Sequence, residues 1–277
     1  MLKCIRTGSA ILAFASLVTA QAAFSAPPIA SGSTHAMLEE AVNGSWRPAA
    51  EKARDQYRHP VQTLEFFGIR PDMTVIELSA GGGWYTRILA PFLYEHGHLI
   101  EPLSERDQKF AAMLKSDPAI YGHVQRGPLF EPFTKDSQHL KLGPDDSADM
   151  VVTFRNMHDY HDAGNMAGVL KAVYNVLKPG GVFGMTDNRG LPNADADVVD
   201  HTLHRNVEGY MIEAALKAGF ELAGVSNINA NPKDPLDVVV FKMYPIYAHD
   251  TPAEKAKFEA IGEADAMTLK FVKPRTR

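Results

Sequence analysis

Two stretches hold residue types and spacings suited to chemistry. The first is Glu77-Leu78-Ser79-Ala80-Gly81-Gly82-Gly83-Trp84, where a carboxylate near the end of an apolar run is followed by three glycines. Glycines there let the chain turn sharply and let a ligand lie on the backbone without meeting a Cβ. Amides at the start of a following helix suit a carboxylate or phosphate. A dinucleotide loop needs G-x-G-x-x-G, and Thr86 stands where its last glycine belongs, which disfavours a nicotinamide-dependent oxidoreductase. The second stretch, Phe154-Arg155-Asn156-Met157-His158-Asp159-Tyr160-His161, is the densest polar and aromatic cluster in the chain. Asn156 can orient a substrate. His158, titrating near neutrality, can act as a base with Asp159 orienting it; equally, the two can cap the next helix. His158-x-x-His161 beside Asp159 and Asp162 lacks the H-E-x-x-H pattern, and no metal is expected.

These residues need a scaffold that brings strand ends together. Thr74–Leu78, Ala148–Phe154 and Val182–Thr186 are short apolar runs of the kind found in buried parallel strands, with weaker strands expected at His98–Glu101 and His123–Gln125. Helical patterns lie between them: 36–67 interrupted at Arg58-His59-Pro60, 84–94, 108–114, 168–177 stopped by Lys178-Pro179-Gly180-Gly181, and 207–218. This alternation predicts an α/β fold, an open and mostly parallel sheet with helices on both faces. Ligands of such sheets bind beyond the carboxyl ends of the strands, where both stretches lie. The tail breaks the rhythm, with strands expected at 220–228 and 267–272 and a further apolar run at 238–241.

The acid followed by spaced small residues, Glu77, Ser79, Gly81 and Gly83, resembles the E-x-G-x-G-x-G pattern of class I S-adenosylmethionine-dependent methyltransferases. Residues 54–94, 146–187 and 269–274 together resemble a bacterial family of predicted, often exported methyltransferases. The marks are Arg54-Asp55, Arg58-His59-Pro60, Glu77 through Thr86, Arg155-Asn156-Met157-His158-Asp159, and Leu177-Lys178-Pro179-Gly180-Gly181. The resemblance implies a Rossmann-like sheet of seven strands with the last antiparallel. It also implies S-adenosyl-L-methionine as cofactor, held by Glu77, Ser79, Gly81, Gly83, Asn156 and an acid after the second strand. For that acid Glu101 is chosen, with Glu105 behind it, although strict register puts Leu103 there. Ser79 replaces the usual first glycine. Asp187, Arg189, His204, Arg205, Arg58 and His59 are further candidates around the pocket, as acid-binding groups or as ion pairs holding loops.

Composition narrows the rest. The chain has 277 residues and a formal charge of −5 from 28 basic and 33 acidic residues, without the basic stripe that nucleic-acid binding requires. Lys3 and Arg6 precede an apolar run at 10–20, with small residues at Ala20-Gln21-Ala22 and Ala23-Phe24-Ser25. That is the layout of a signal peptide, taken as 1–25, followed by a linker at 26–35 and a single domain at 36–277. The expected protein is therefore exported, periplasmic or secreted, and not stably inserted in a membrane after cleavage. Cys4, the only cysteine, would leave with the signal, so no disulfide or thiolate chemistry is expected. The expected partner is a small-molecule or envelope-component acceptor. A binding protein that keeps the fold without methyl transfer is the alternative.

Overall fold

The structure, a computed structural model, describes residues 32–104, 108–133, 140–248 and 251–275. The expected signal peptide, most of the expected linker and Glu105 lie outside the described residues. Seven strands form one sheet: β1 Thr74–Leu78, β2 His98–Leu103, β3 Gln125–Leu129, β4 Ala148–Phe154, β5 Leu177–Asn188, β6 Glu221–Ser226 and β7 Ala266–Val272. Their order is β3-β2-β1-β4-β5-β7-β6. Strands β1 to β5 run parallel, and β7 is antiparallel to both β5 and β6. The expected α/β class and antiparallel last strand are what the chain adopts.

The apolar runs are central because both sheet faces are covered. Side chains alternate along a strand, so Val75 and Met150 enter one core with Leu38, Leu64, Phe67, Ile88 and Phe92. Ile76 and Val151 enter the other, with Leu170, Val173, Met211, Phe183 and Phe271. Helices Thr34–Asn43, Pro60–Phe67 and Thr86–Leu93 cover the first face; Met166–Val176 and Glu208–Lys217 cover the second. Among the described residues no helix is long and apolar enough to cross a membrane.

Several boundaries differ from those expected. The first helix starts at Thr34, capped by the Ser33 side chain, inside the expected linker. The N-terminal helical region breaks at Gly44 to Pro48 as well as at His59, whose φ is +37°. Strand β3 begins at Gln125 because the Val124 amide donates to Tyr121 O, closing the Pro118–Tyr121 helix. Lys178 to Gly181, expected to stop the preceding helix, follows its end at Val176 and is an irregularity within β5, between the pairs Ala148–Leu177 and Met150–Val182. The 238–241 run forms a short turn of 3-10 helix, Val240–Lys242. It packs with Met243, Phe258 and Ala264 under the Pro252–Ile261 helix. Thr251 starts that helix with a capping box to Glu254.

Candidate functional site

Strand β1 delivers its loop at the carboxyl edge of the sheet. Ser79 has φ +49° and Gly81 φ +59°, so the chain turns through left-handed backbone here. Ser79 tolerates that geometry with its hydroxyl accepting a 2.7 Å hydrogen bond from Tyr160 OH. A Cβ on Gly82 would meet nothing within 4 Å, and one on Gly81 only Ser79 O at 3.9 Å. Open space therefore lies over these two residues. Gly83 differs: its Cβ would stand 2.3 Å from Met113 Cε and 3.2 Å from Phe110. Its missing side chain makes room for the Gln108–Ser116 helix rather than for a ligand.

The open space is a cleft of about 220 Å³ lined by Ser79, Gly81, Glu101, Phe110, Phe133 and Asn156. It has an apolar aromatic side and one acid. Glu101 is almost wholly buried, and its carboxyl is hydrogen-bonded to that of Glu77, which is also buried. Thr86 Oγ1 sits between them, 2.8 Å from Glu77 Oε2 and 3.4 Å from Glu101 Oε1. Burial pushes Glu77 up to about 7. Burial and the neighbouring Glu77 carboxylate push Glu101 well above the ordinary carboxylate range, with Arg126 opposing. The two thus hold a proton between them near neutral pH. Glu77 is not among the residues lining the cleft; it holds Glu101 at its edge.

At the end of β4 the chain turns through Arg155, φ +61°, and consecutive side chains go to different places. Asn156 faces the cleft over β1, but its amide is occupied, donating to Leu78 O, Ser79 O and Thr153 Oγ1 at 3.0 to 3.3 Å. It ties β4 to the glycine loop. His158 lies on the other side, and Asp159 is not what orients it. Its Nδ1 is 2.8 Å from Asp187 Oδ1, while its backbone amide donates to Asp187 Oδ2, also at 2.8 Å. Asp159 stands 3.5 Å from Nε2. Asp187, at the end of β5, is fully buried and also receives hydrogen bonds from the Asn188 amide and Asn206 Nδ2. Burial opposes charge on His158, but Asp187, with help from Asp159, outweighs it and raises the pKa to about 9. The Asp187 pairing thus favours the charged imidazole and opposes a role for His158 as a base.

Beside His158 opens a second chamber of about 270 Å³, walled by Arg54, Arg58, Arg155, Asp159 and the segment Val240 to Ile246. The three arginines meet on Glu263, which is buried. Burial opposes the charge of Glu263, yet Arg58, Arg155 and Arg54 hold its pKa below the usual range. Glu263 and Tyr160 carry no sequence signal beyond their type, since each acts across a long loop in the chain. Arg189 pairs with Asp265 and Glu208. Arg205, fully buried, pairs with Asp234. Both are loop clamps, as their alternative reading had it. His161 turns to Asn206 and Asp197. Among the described residues the donor atoms that do cluster, within 4.8 Å, are those of His158, Asp159 and His204.

No family model matches the chain. It is 31% identical over 146 residues to sterol 24-C-methyltransferase erg-4 of Neurospora crassa, which covers 52% of this chain and 35% of that protein. The chain thus spans about a third of the length of that relative. Among solved structures it is similar to the [4+2]-cyclase SpnF, with TM-score 0.55, 16% identity and 84% of each chain covered. It is similar too to a SAM-dependent methyltransferase from Aquifex aeolicus, with TM-score 0.51, 13% identity and coverage of 80% and 93%. With the strand order, the antiparallel β7 and the glycine loop after β1, these likenesses show that the chain has the fold of class I S-adenosylmethionine-dependent methyltransferases.

Proposed function

We propose that this protein is an S-adenosylmethionine-dependent methyltransferase, exported from the cytoplasm, that methylates a small molecule or an envelope component. The observation that carries the reading is the cleft over Ser79 to Gly81, with Glu101 at its edge, at the carboxyl ends of β1 and β2. Its parts fit the cofactor. The open space over Gly81 would hold the amino-acid portion, Phe110 and Phe133 would offer a face to the base, and Glu101 would hold the ribose hydroxyls. When bound there, the cofactor would supply a methyl group on a sulfonium, with a neutral thioether as the leaving group.

The protein's own work is then alignment and exclusion of water. Asn156 fixes the loop relative to β4. Tyr160 fixes Ser79 in its turn. His158, which Asp187 favours in its charged form, offers a hydrogen bond and positive charge at the wall of the second chamber. Export rests on the layout of residues 1–25.

A second reading, a ligand-binding protein without methyl transfer, is favoured by one observation: Glu101 shares its proton with Glu77 and accepts less well than a free carboxylate. Isothermal titration with S-adenosylhomocysteine, with NADH in parallel, decides between them. Saturable binding of the former supports the methyltransferase. Folded protein that binds neither compound supports the second reading, and NADH binding alone overturns both.

A further inference from the structure

The chamber beyond β4 gathers more positive charge than its own carboxylates answer. Arg54, Arg58 and Arg155 share the single carboxylate of Glu263. Arg155 is committed: Nη1 donates to Asn188 Oδ1 at 2.8 Å, and Nη2 reaches Glu263 and Ala264 O. Arg54 and Arg58 touch Glu263 through Nε. Among the described residues their outer Nη edges make no hydrogen bond, although the two side chains are only 22% and 13% exposed. The guanidinium of Arg58 lies 5.0 Å from the centre of the Trp84 ring, which holds its plane and leaves its edge free. Like charges so placed also depress one another. Burial and the two neighbouring arginines, opposed by Glu263, bring Arg155 down to about 10.

Partly buried guanidiniums in excess of their carboxylates are costly unless another anion joins them. Two free forks side by side match the planar, bidentate geometry of a carboxylate or phosphate. Facing them is an apolar wall of Phe241, Met243, Tyr244, Pro245 and Ile246. At about 270 Å³ the chamber is at the small end of ligand pockets, the size for a ring and its substituents. Its wall and that of the cofactor cleft both start from the turn at the end of β4, Arg155 lining the one and Asn156 the other. Among the described residues the only carboxylate on its wall, Asp159, is turned to His158.

We infer that this chamber binds a small organic oxyanion, its carboxylate or phosphate on the outer edges of Arg54 and Arg58 and its apolar body against Phe241 to Ile246. The inference rests on the methyltransferase reading only in taking that anion to be the methyl acceptor.

Titration of the full chain with benzoate, phenyl phosphate, inorganic phosphate and neutral benzamide tests it, and comparing the first two tells carboxylate from phosphate. Benzoate or phenyl phosphate is expected to bind at least about tenfold more tightly than benzamide. Arg54→Gln and Arg58→Gln should each lose about tenfold in anion affinity. Equal affinity for benzoate and benzamide, or unchanged affinity in both variants, overturns the inference. Inorganic phosphate binding as tightly as phenyl phosphate overturns its apolar half. If a variant does not fold, the charged and neutral ligands compared on the unaltered protein at roughly 0.1 and 1 M salt decide, since only a charge-held ligand weakens. S-adenosylhomocysteine titrated into the same samples separates the two failures. Its binding without any anion binding removes this inference alone. Anion binding without it leaves an anion chamber and removes the methyl acceptor.

Discussion

Replacing Glu77 and Glu101 together by glutamine should change how the stability of the protein depends on pH. Both carboxyls are buried and hydrogen-bonded to each other, so the folded chain keeps protons that the unfolded chain releases. For Glu77 the displacement is from the ordinary 4.5 to about 7. A group held protonated in this way gives its full stabilisation below pH 4.5 and loses it as pH rises through 7. At about 1.4 kcal/mol for each tenfold change in proton affinity, the loss is on the order of 3 kcal/mol. Glu101, held higher still, extends the fall above pH 7. His158 and Asp200, raised to about 9 and about 8, add slopes of the same sign. They are present in both proteins and cancel in the difference. Urea unfolding at a series of pH values reads that difference directly. With a slope of roughly 3 kcal/mol per molar urea, Glu77 alone should let the midpoint of the double variant gain about 1 M on the unaltered protein between pH 4.5 and pH 8, and Glu101 adds to that gain. Curves that stay parallel across that range would mean that the two carboxyls ionise in the folded state as they do in water. The shared proton at the cleft would then be wrong.

Gly81→Val places a branched side chain at φ +59° and fills the cleft, so binding of S-adenosylhomocysteine should disappear in a titration; retained affinity puts the cofactor elsewhere. Gly83→Ala should instead lower stability by about 1–3 kcal/mol through Met113 and Phe110, read as a lower melting temperature. The ring protons of His158 should titrate near pH 9 by NMR and fall by more than one pH unit in Asp187→Asn; a midpoint at 6.5 in the unaltered protein refutes the buried pair. Glu263→Gln leaves three guanidiniums facing one another and should cost about 3–5 kcal/mol in urea unfolding, in part restored by sulfate. Mass spectrometry of exported protein should find a new N-terminus at Ala23 or Ala26; a full-length chain refutes cleavage.

The strands that the sequence marks well are those whose environment is uniform. Val75 and Ile76, or Met150 and Val151, are apolar on both faces because helices cover both, and short range suffices to see it. Edge strand β3, Gln125-Arg126-Gly127-Pro128-Leu129, is half exposed and has no such pattern, so the sequence does not mark where it starts. The glycine loop is legible because its demands are local. The partner of His158 is not: Asp159 is next in sequence, but Asp187 is next in space, delivered by the pairing of β4 with β5. Glu263 meets Arg54 and Arg58 across more than 200 residues, and only the fold reveals that encounter.

The wall of the anion chamber from Val240 to Ile246 belongs to no strand. It rests on a small core of its own, Val240, Met243, Phe258 and Ala264, and is pinned at its base by Arg205, whose Nε donates to Val238 O and whose fork holds Asp234. The residues that face the ligand there can thus drift without disturbing the sheet or the glycine loop. What is bound can be retuned by rewriting this one segment, and a library randomised at Phe241, Tyr244 and Ile246 can do so in the laboratory.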